Sequence, residues 1–299
     1  MTPALPHRAG FVGIVGRTNA GKSTLLNKLA NAKIAITSKK PQTTRNTIRA
    51  IVTVEEAQII FVDTPGFHKS QSLLGKHLNK MIVATLSDVD VVLFLVDGKR
   101  PPGNEDKFVA EHLKVIDTPV IAALNKVDLI DETETEERLE EIRPLGEFSA
   151  IVPVSAKTGQ NVDILFGALF GLLPESPQLY PPEMLTDQPE EHIVAEFIRE
   201  KILDLTREEV PHSVAVVVTE MSEREGKDLI DIEAVIYVER DSQKGIVIGK
   251  GGSMLKEVGT RARRDIETLL GEKVNLKLWV GVEKDWRSRE STIRRLTEE

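Results

Sequence analysis

The segment Gly16-Arg-Thr-Asn-Ala-Gly21-Lys22-Ser23 restricts the possible folds of this chain more than any other feature. It fits the pattern GxxxxGK[ST], and it lies between the apolar run 11–16 and the helical pattern 23–30. A glycine-rich turn from a strand into a helix directs backbone N–H groups and the positive end of the helix dipole at an anion. The sequence therefore predicts an α/β fold with a phosphate-binding loop, and the flanking patterns disfavour a glycine turn without a ligand.

The loop carries two side chains suited to a nucleotide. We expect Lys22 to reach the β- and γ-phosphates and the Ser23 hydroxyl to ligate Mg²⁺. The residues expected to surround the phosphates are Gly16, Arg17, Thr18, Asn19, Ala20, Gly21, Lys22, Ser23 and Thr24.

A second motif, Asp63-Thr64-Pro65-Gly66, follows the apolar strand pattern 58–62. An acid at the end of a buried strand can hold Mg²⁺, and a glycine lets its backbone N–H approach a γ-phosphate. Alone this pattern is usually only a turn. Its place about 40 residues after a phosphate loop makes it a predicted metal and phosphate site, with Asp63 as a metal ligand.

The base-recognition candidates follow two further apolar strand patterns. They are the motifs Asn125-Lys126-Val127-Asp128 and Ser155-Ala156-Lys157. The carboxylate of Asp128 can accept hydrogen bonds from the N1–H and the exocyclic amine of guanine, which adenine does not offer there. We expect Asn125 and Lys126 to support the loop and the plane of the guanine ring. We expect the Ala156 N–H to face the guanine O6. The chain is therefore predicted to select guanine.

Together these four motifs resemble those of the translation-factor-like GTPases, and the resemblance spans residues 10–173. It implies GTP and GDP as ligands, with a switch loop before Asp63 that orders around the γ-phosphate and Mg²⁺. The polar segment 39–46 fits that loop, and the resemblance assigns one of its threonines to Mg²⁺. We prefer Thr44 to Thr43 for this role. The residues of the loop expected near the nucleotide are Gln42, Thr43, Thr44 and Arg45.

The position after Gly66 is Phe67, whereas many switch GTPases have a glutamine there that orients the attacking water. Subfamilies similar to this chain use a phosphate-loop asparagine, matched here by Asn19, to help bind K⁺. The resemblance therefore implies slow, potassium-stimulated hydrolysis. The expected catalytic residues are Lys22, Asn19, Thr44 and Gly66.

Periodicity divides the chain of 299 residues into two parts. Up to residue 173, continuous Val/Ile/Leu runs alternate with helical patterns, which predicts a doubly wound, mostly parallel sheet with one hairpin near residues 55–57. Prolines then interrupt residues 174–191, the expected linker. Residues 192–299 predict a smaller α+β domain with a strand from residue 213 and a C-terminal helix. Within the first part, Thr133 and Glu136 are spaced as a capping box.

The second part holds a candidate RNA site. Net charge is -8 overall, but residues 241–299 contain 13 Lys and Arg against 10 Asp and Glu, a net +3. The motif Gly249-Lys250-Gly251-Gly252 lies between two helical patterns, and such GxxG loops in KH modules clamp single-stranded nucleic acid. The order of strands around it favours a type II (prokaryotic) KH domain. The predicted RNA-binding residues are Ile246, Ile248, Gly249, Lys250, Gly251, Gly252, Arg261, Arg263 and Arg264.

A phosphate-loop GTPase, a proline-rich linker and a C-terminal KH domain, in this order, resemble the bacterial Era GTPase family. The segment Glu209-Val-Pro211-His-Ser213 also fits that family. The resemblance implies binding near the 3′ end of 16S rRNA, a role in 30S subunit assembly and a cytoplasmic monomer, with peripheral contact to the inner membrane in some members. Two alternatives stay open, a GTPase-regulated RNA-modifying factor and a membrane-associated signalling factor. The chain contains no cysteine, which excludes thiolate zinc sites and cysteine nucleophiles.

Overall fold

The computed structural model describes residues 7–38, 40, 43–44, 48–66, 73–75, 78, 82, 86 and 88–297. These residues form two compact units. The described residues of the first unit fall within Met1–Ala35, Thr44–Gln71 and Gly75–Asp187. Those of the second unit fall within Ile36–Thr43, Ser72–Leu74 and Gln188–Glu299. The described residues of the short segment Ile36–Thr43 therefore pack with the second half of the chain although they lie within the first half.

The strands of the first unit form one sheet in the order β2-β3-β1-β4-β5-β6. Only the hairpin pair β2 and β3 is antiparallel among the strands described; the other neighbours run parallel. This confirms the predicted mostly parallel, doubly wound fold. The strands are β1 (Arg8–Val15), β2 (Ile48–Val54), β3 (Ala57–Asp63), β4 (Val91–Asp97), β5 (Val120–Asn125) and β6 (Ala150–Val154).

Strand β4 shows why this half of the sequence has continuous apolar runs. Every residue from Val91 to Asp97 is buried. Leu93 and Leu95 pack into the core on one face of the sheet, whereas Phe94 and Val96 pack into the core on the other. Since helices cover both faces, polar alternation along the central strands is excluded. The α-helices of this unit that are described over their whole length are α1 (Lys22–Ala30), α2 (Asn104–Leu113), α3 (Glu132–Ile142) and α4 (Val162–Leu172).

The proline-rich segment after α4 lies along the exposed edge of the first sheet. The backbone N–H of Ile51 in β2 donates to the Leu185 carbonyl (2.8 Å), and the Thr186 hydroxyl donates to the Arg49 carbonyl (2.6 Å). An uncovered edge strand offers unpaired backbone groups to other chains. The segment therefore satisfies part of that edge in addition to leading to the second unit.

The second unit has a three-stranded sheet in the order β7-β8-β9, where β7 pairs antiparallel and β9 parallel with β8. Along β8, buried and partly exposed residues alternate strictly, because one sheet face packs on helices. This is the predicted α+β arrangement. Its elements are α5 (Glu190–Leu205), α6 (Val210–Ser213), β7 (Ala215–Glu223), β8 (Leu229–Val238), α7 (Asp241–Ile248), α8 (Ser253–Leu270), β9 (Lys273–Val282) and α9 (Glu290–Thr297).

Two local expectations were wrong. The capping box at the start of α3 is formed by Asp131 and Glu134, two residues earlier than expected, since Asp131 accepts from the Glu134 N–H (2.8 Å). Strand β7 starts at Ala215, because residues Val210–Ser213 form a helical turn with Pro211 in its first positions, where a missing N–H costs nothing.

We predict that Gln58→Leu lowers the free energy of unfolding by about 2–4 kcal/mol. Gln58 is fully buried, and its Oε1 accepts from the N–H groups of Leu179 and Tyr180, each at 2.8 Å. Its Nε2 donates to the Tyr180 carbonyl (2.9 Å), so leucine leaves three backbone groups without partners. Urea unfolding measures the change. The exposed Gln178→Leu is the matched control, and equal stability of the two variants would contradict the prediction.

Candidate functional site

The phosphate loop connects β1 to α1 and leaves no room for side chains at its two key glycines. A Cβ on Gly16 would lie 2.4 Å from the Leu95 carbonyl oxygen, and one on Gly21, at φ 104°, would lie 2.3 Å from the Asn125 Nδ2. The loop therefore needs glycine at both positions. The N–H groups at the start of α1 remain directed at the loop interior, which suits an anion.

Lys22 lies beneath this loop and is 6% exposed. Its Nζ donates to the carbonyls of Gly16 (3.2 Å) and Arg17 (3.3 Å). Burial lowers the pKa of Lys22 to about 8, against the opposing charge of Asp63. A desolvated ammonium bonded only to neutral carbonyls is strongly stabilised by hydrogen bonds to charged phosphate oxygens. Its surroundings therefore favour an anionic ligand.

Three side-chain oxygens expected to ligate Mg²⁺ converge beside Lys22. The Ser23 hydroxyl donates to Asp63 Oδ2 (2.8 Å), and the Thr44 hydroxyl lies 3.0 Å from Ser23 Oγ and 3.3 Å from the same carboxylate oxygen. Asp63 is fully buried, burial raises its pKa, and its Oδ1 has no hydrogen-bond partner within the described part of the chain. Two hydroxyls and an orphaned carboxylate oxygen are the hard donors that Mg²⁺ takes, so these residues fit the ion.

The hydroxyls of Thr43 and Thr44 have different partners, as expected if Thr44 is the metal-binding threonine. The Thr43 hydroxyl donates to the Lys40 carbonyl (2.7 Å), whereas Thr44 faces Ser23 and Asp63. This supports Thr44 as the metal-binding threonine, which stays a prediction. The expected site residues Gln42 and Arg45 lie outside the described residues, as does Phe67.

The motif after β3 lies directly against the phosphate loop. The Thr64 hydroxyl donates to the Ile14 carbonyl (2.8 Å), which anchors the turn, and a Cβ on Gly66 would lie 2.9 Å from the Thr18 Cα. A side chain at position 66 would therefore displace the phosphate loop, and the Asp63–Gly66 turn packs directly against that loop.

The predicted base-recognition residues meet at the ends of β5 and β6. Asn125 donates to the Ala20 carbonyl (2.8 Å) and accepts from the Ala156 N–H (2.9 Å), while the Ser155 hydroxyl donates to Asp128 (2.6 Å). Ser155 thereby orients the carboxylate expected to read guanine. The sequence places the Ala156 N–H opposite guanine O6, whereas in this structure that N–H donates to Asn125 Oδ1. Lys157 is exposed beside this loop, and Thr24 lies in the first turn of α1.

Sequence reasoning missed Asp97, at the end of β4. It accepts from Arg17 Nη2 (3.0 Å) and from Lys126 Nζ (2.7 Å), and it is paired in register with Asn125. Lys126 also donates to the Asn19 carbonyl (2.7 Å). Asp97 thus joins the phosphate loop to the base-recognition loop. The available signal was a carboxylate at the end of a wholly apolar strand, the same signal that singled out Asp63.

The candidate RNA loop joins α7 to α8, and three of its glycines have left-handed φ values: Gly249 (74°), Gly251 (61°) and Gly252 (81°). A Cβ on Gly249 would lie 2.7 Å from that of Met254, whereas nothing lies within 4 Å of one on Gly251 or Gly252. The backbone at Gly251 and Gly252 is therefore open to a ligand, and the exposed Lys250 adds charge.

The apolar and basic residues predicted to extend this RNA site lie beside the loop. Ile246 is 51% exposed, while Ile248 is partly buried. Helix α8 buries Val258, Ala262 and Ile266 at intervals of four residues. This spacing leaves three basic side chains exposed: Arg261, Arg263 and Arg264. Arg261 is paired with Glu257 (2.7 Å).

No group of three His, Cys, Asp or Glu side chains in the described ranges could hold a metal ion. Nor does any helix in those ranges combine the length and apolar composition needed to cross a bilayer.

Comparisons with known proteins identify the same two parts. A model of the 50S ribosome-binding GTPase family matches residues 11–126, and a KH-domain model matches residues 209–287. The chain is similar to a crystal structure of Era in complex with MgGDPNP and nucleotides 1506–1542 of 16S ribosomal RNA, with TM-score 0.93 and 39% identity over 97% of this chain and 98% of that chain. The chain is equally similar to a tyrosine-to-alanine variant of Aquifex aeolicus Era bound to GDP.AlF4⁻, with TM-score 0.93 and 39% identity over 97% of this chain and 98% of that chain.

We predict that Asp97→Asn raises the Kd of guanine nucleotides roughly tenfold, which corresponds to about 1.4 kcal/mol. The substitution removes the charge that holds Arg17 and Lys126, so both loops lose a common anchor. Titration with a fluorescent GDP analogue measures the effect. The exposed Asp117→Asn in the same unit is the control, and an unchanged Kd for the Asp97 variant would exclude the anchoring role.

Proposed function

The chain belongs to the Era family of GTPases, and we propose that it is a GTP-hydrolysing switch that binds small-subunit rRNA near its 3′ end and assists 30S subunit assembly. The observation that carries the proposal is the 39% identity, over 97% of the chain, with an Era bound to both a GTP analogue and 16S rRNA. The family resemblance expected from motif order is thereby confirmed.

The phosphate site performs binding and charge stabilisation. Lys22 donates to the β- and γ-phosphates, and the N–H groups of the loop and of Gly66 surround the γ-phosphate. Ser23, Thr44 and Asp63 would hold Mg²⁺, which when bound supplies positive charge against the phosphate oxygens. Phosphoryl transfer needs positioning and electrostatic stabilisation more than covalent chemistry from the protein, and these groups provide both.

The base site selects guanine through Asp128. Its carboxylate, oriented by the Ser155 hydroxyl at 2.6 Å, accepts two hydrogen bonds from guanine, and adenine offers neither donor there. Asp128 is an exposed residue, so the preference for guanine comes from these two hydrogen bonds.

The division of labour follows the order of the chain. We propose residues 1–173 as the GTPase domain, 174–191 as the linker and 192–299 as the KH domain with its C-terminal helix. The protein acts as a monomer in the cytoplasm, and a peripheral contact with the inner membrane is a further property of the family that this proposal includes.

Potassium is proposed as a second activating cation. Phe67 cannot orient a water molecule by hydrogen bonding, so charge near the β–γ bridge has to come from elsewhere. Asn19 lies in a turn of the phosphate loop with φ 62°, and its backbone carbonyl accepts from Lys126. Its side chain would help to hold K⁺ there.

We predict that hydrolysis is at least about tenfold faster in K⁺ than in Na⁺, and that Asn19→Ala abolishes this difference. Phosphate release at matched ionic strength measures the rates. Asn31→Ala is the control, because Asn31 also has positive φ (49°) but ends α1 at the opposite end of the helix. Equal rates in both salts for the unaltered protein would refute the cation proposal and leave the Mg²⁺-dependent reaction intact.

The RNA half of the proposal is tested with a labelled single strand that copies the 3′ end of 16S rRNA and with a scrambled strand. We expect tight binding of the true sequence, tighter with a GTP analogue than with GDP. Gly252→Asp should weaken it at least about tenfold, since a carboxylate at the open loop repels phosphates.

Gly226→Asp is the matched control for that variant. Gly226 also has left-handed φ (72°) and open space around its Cα, but it lies in the turn between β7 and β8. Both variants carry the same backbone strain and the same added charge. Equal loss of binding in the two would contradict the assignment of the GxxG loop, and equal weak binding to both strands would contradict the RNA target.

A further inference from the structure

Helix α5 of the second unit holds a segment that the sequence assigns to the nucleotide switch. The segment Ile36–Thr43 belongs to this unit, and Ile36 is fully buried in the same core as Ile198 and Ile202 of α5. Beside it, Glu200 Oε1 accepts from the Thr37 N–H at 2.9 Å. The residues just before the predicted switch loop 39–46 are therefore packed and hydrogen-bonded on α5.

Arg199 holds the other end of this segment. Its side chain is 2% exposed and forms a paired contact with Glu196, from Nε at 2.8 Å and from Nη2 at 2.6 Å. Nη2 also donates to the backbone carbonyl of Thr43. A buried guanidinium is costly unless it is paired and hydrogen-bonded. Here Nε and Nη2 are bonded to one acid and one switch carbonyl, while Nη1 has no hydrogen-bond partner among the described residues.

The residue after Thr43 is Thr44, whose hydroxyl lies 3.0 Å from Ser23 and 3.3 Å from Asp63 in the first unit. A single peptide unit therefore separates the carbonyl held by Arg199 from the hydroxyl expected to bind Mg²⁺. The peptide bond is planar and rigid, so a shift of the Thr43 carbonyl changes the position of Thr44.

A second set of contacts leads from the same helix to the candidate RNA helix. Glu200, which binds the Thr37 N–H, also accepts from Lys201 Nζ (2.6 Å). Lys201 in turn pairs with Asp265 of α8, directly after the basic residues Arg263 and Arg264. All of these residues belong to the second unit.

We propose that Arg199 is a positioning residue of the GTP switch and that α5 relays the state of Thr44 to helix α8 through Glu200, Lys201 and Asp265. The inference rests on the proposed function and names its regulation. When Thr44 binds the metal beside a γ-phosphate, the Thr43 carbonyl is fixed for Arg199, and RNA bound at α8 favours the same arrangement. By thermodynamic linkage each ligand then raises the affinity for the other by one common factor.

The test compares two ratios in Arg199→Met and in the unaltered protein. The first is the Kd for GDP divided by that for a non-hydrolysable GTP analogue. The second is the Kd for the 16S 3′-end RNA in the GDP state divided by that in the GTP-analogue state, expected between about 5 and 150. We expect the variant to lower the first ratio about tenfold and to bring the second close to 1, with RNA affinity in the GDP state retained.

Two further variants separate positioning from folding. Arg207→Met makes the same change at an exposed arginine just beyond α5 and should keep both ratios. Lys201→Met leaves the Arg199 contact with Thr43 in place but breaks the connection to Asp265, so it should lower the second ratio. If Arg199→Met proves unstable in thermal unfolding, Arg199→Lys replaces it, since one ammonium cannot serve Glu196 and Thr43 with the same geometry.

The outcomes distinguish failure of the proposed relay from failure of the proposed function. An unaltered protein that binds no RNA contradicts the proposed function. One that binds RNA equally with GDP and with the GTP analogue contradicts the relay and the expected GTP dependence of RNA binding, but leaves RNA binding and GTP hydrolysis in place. A folded Arg199 variant whose two ratios match those of the unaltered protein also overturns the relay.

Discussion

The side-chain amide of Asn125 joins the loops on which nucleotide recognition depends. Its Nδ2 donates to the Ala20 carbonyl of the phosphate loop, and its Oδ1 accepts from the Ala156 N–H of the last loop. Both bonds are buried, so losing either leaves an unsatisfied polar group, at a cost of about 1–3 kcal/mol. The amide reaches both loops only because parallel strands place their carboxyl ends at one edge of the sheet, where α/β folds bind ligands. The parallel order of β1, β4, β5 and β6 is thus a requirement of the site.

Around that anchor the protein buries charges that the fold alone does not need. Lys22 and Asp63 are both buried, and burial moves both pKa values toward the neutral forms. Groups in this condition reduce stability unless charges of opposite sign complete their surroundings. In the proposed site, phosphates would complete those of Lys22, and a divalent cation would complete those of Asp63. Ligands that bind only the folded chain stabilise it by mass action, so the nucleotide is expected to contribute to stability as well as to function.

Much of the fold could be predicted from the sequence because its determinants are local. Continuous apolar runs predicted the parallel strands, and glycines between a strand pattern and a helix pattern predicted the phosphate loop. The cap of α3 was misplaced because Asp131 precedes the expected Thr133 and caps equally well, a choice that spacing does not decide. Asp97 and Arg199 were missed for a different reason. The end of an apolar strand singles out Asp97, but its partner Lys126 lies 29 residues away, and the Thr43 carbonyl bound by Arg199 lies 156 residues away. Only the tertiary structure therefore identifies these contacts.

The energies of the contacts on α5 limit what the segment Ile36–Thr43 can do. The charged side chains of Arg199 and Glu200 form hydrogen bonds with the backbone of Thr43 and Thr37 in this segment. Such bonds contribute about 1.5–3 kcal/mol each, the range in which coupling between two ligand sites is usually found. Contacts of this size can bias the position of Thr44 by one or two orders of magnitude, but they cannot lock it against a bound nucleotide. A graded bias suits an assembly factor, because RNA then favours the GTP state without preventing its return to the GDP state after hydrolysis.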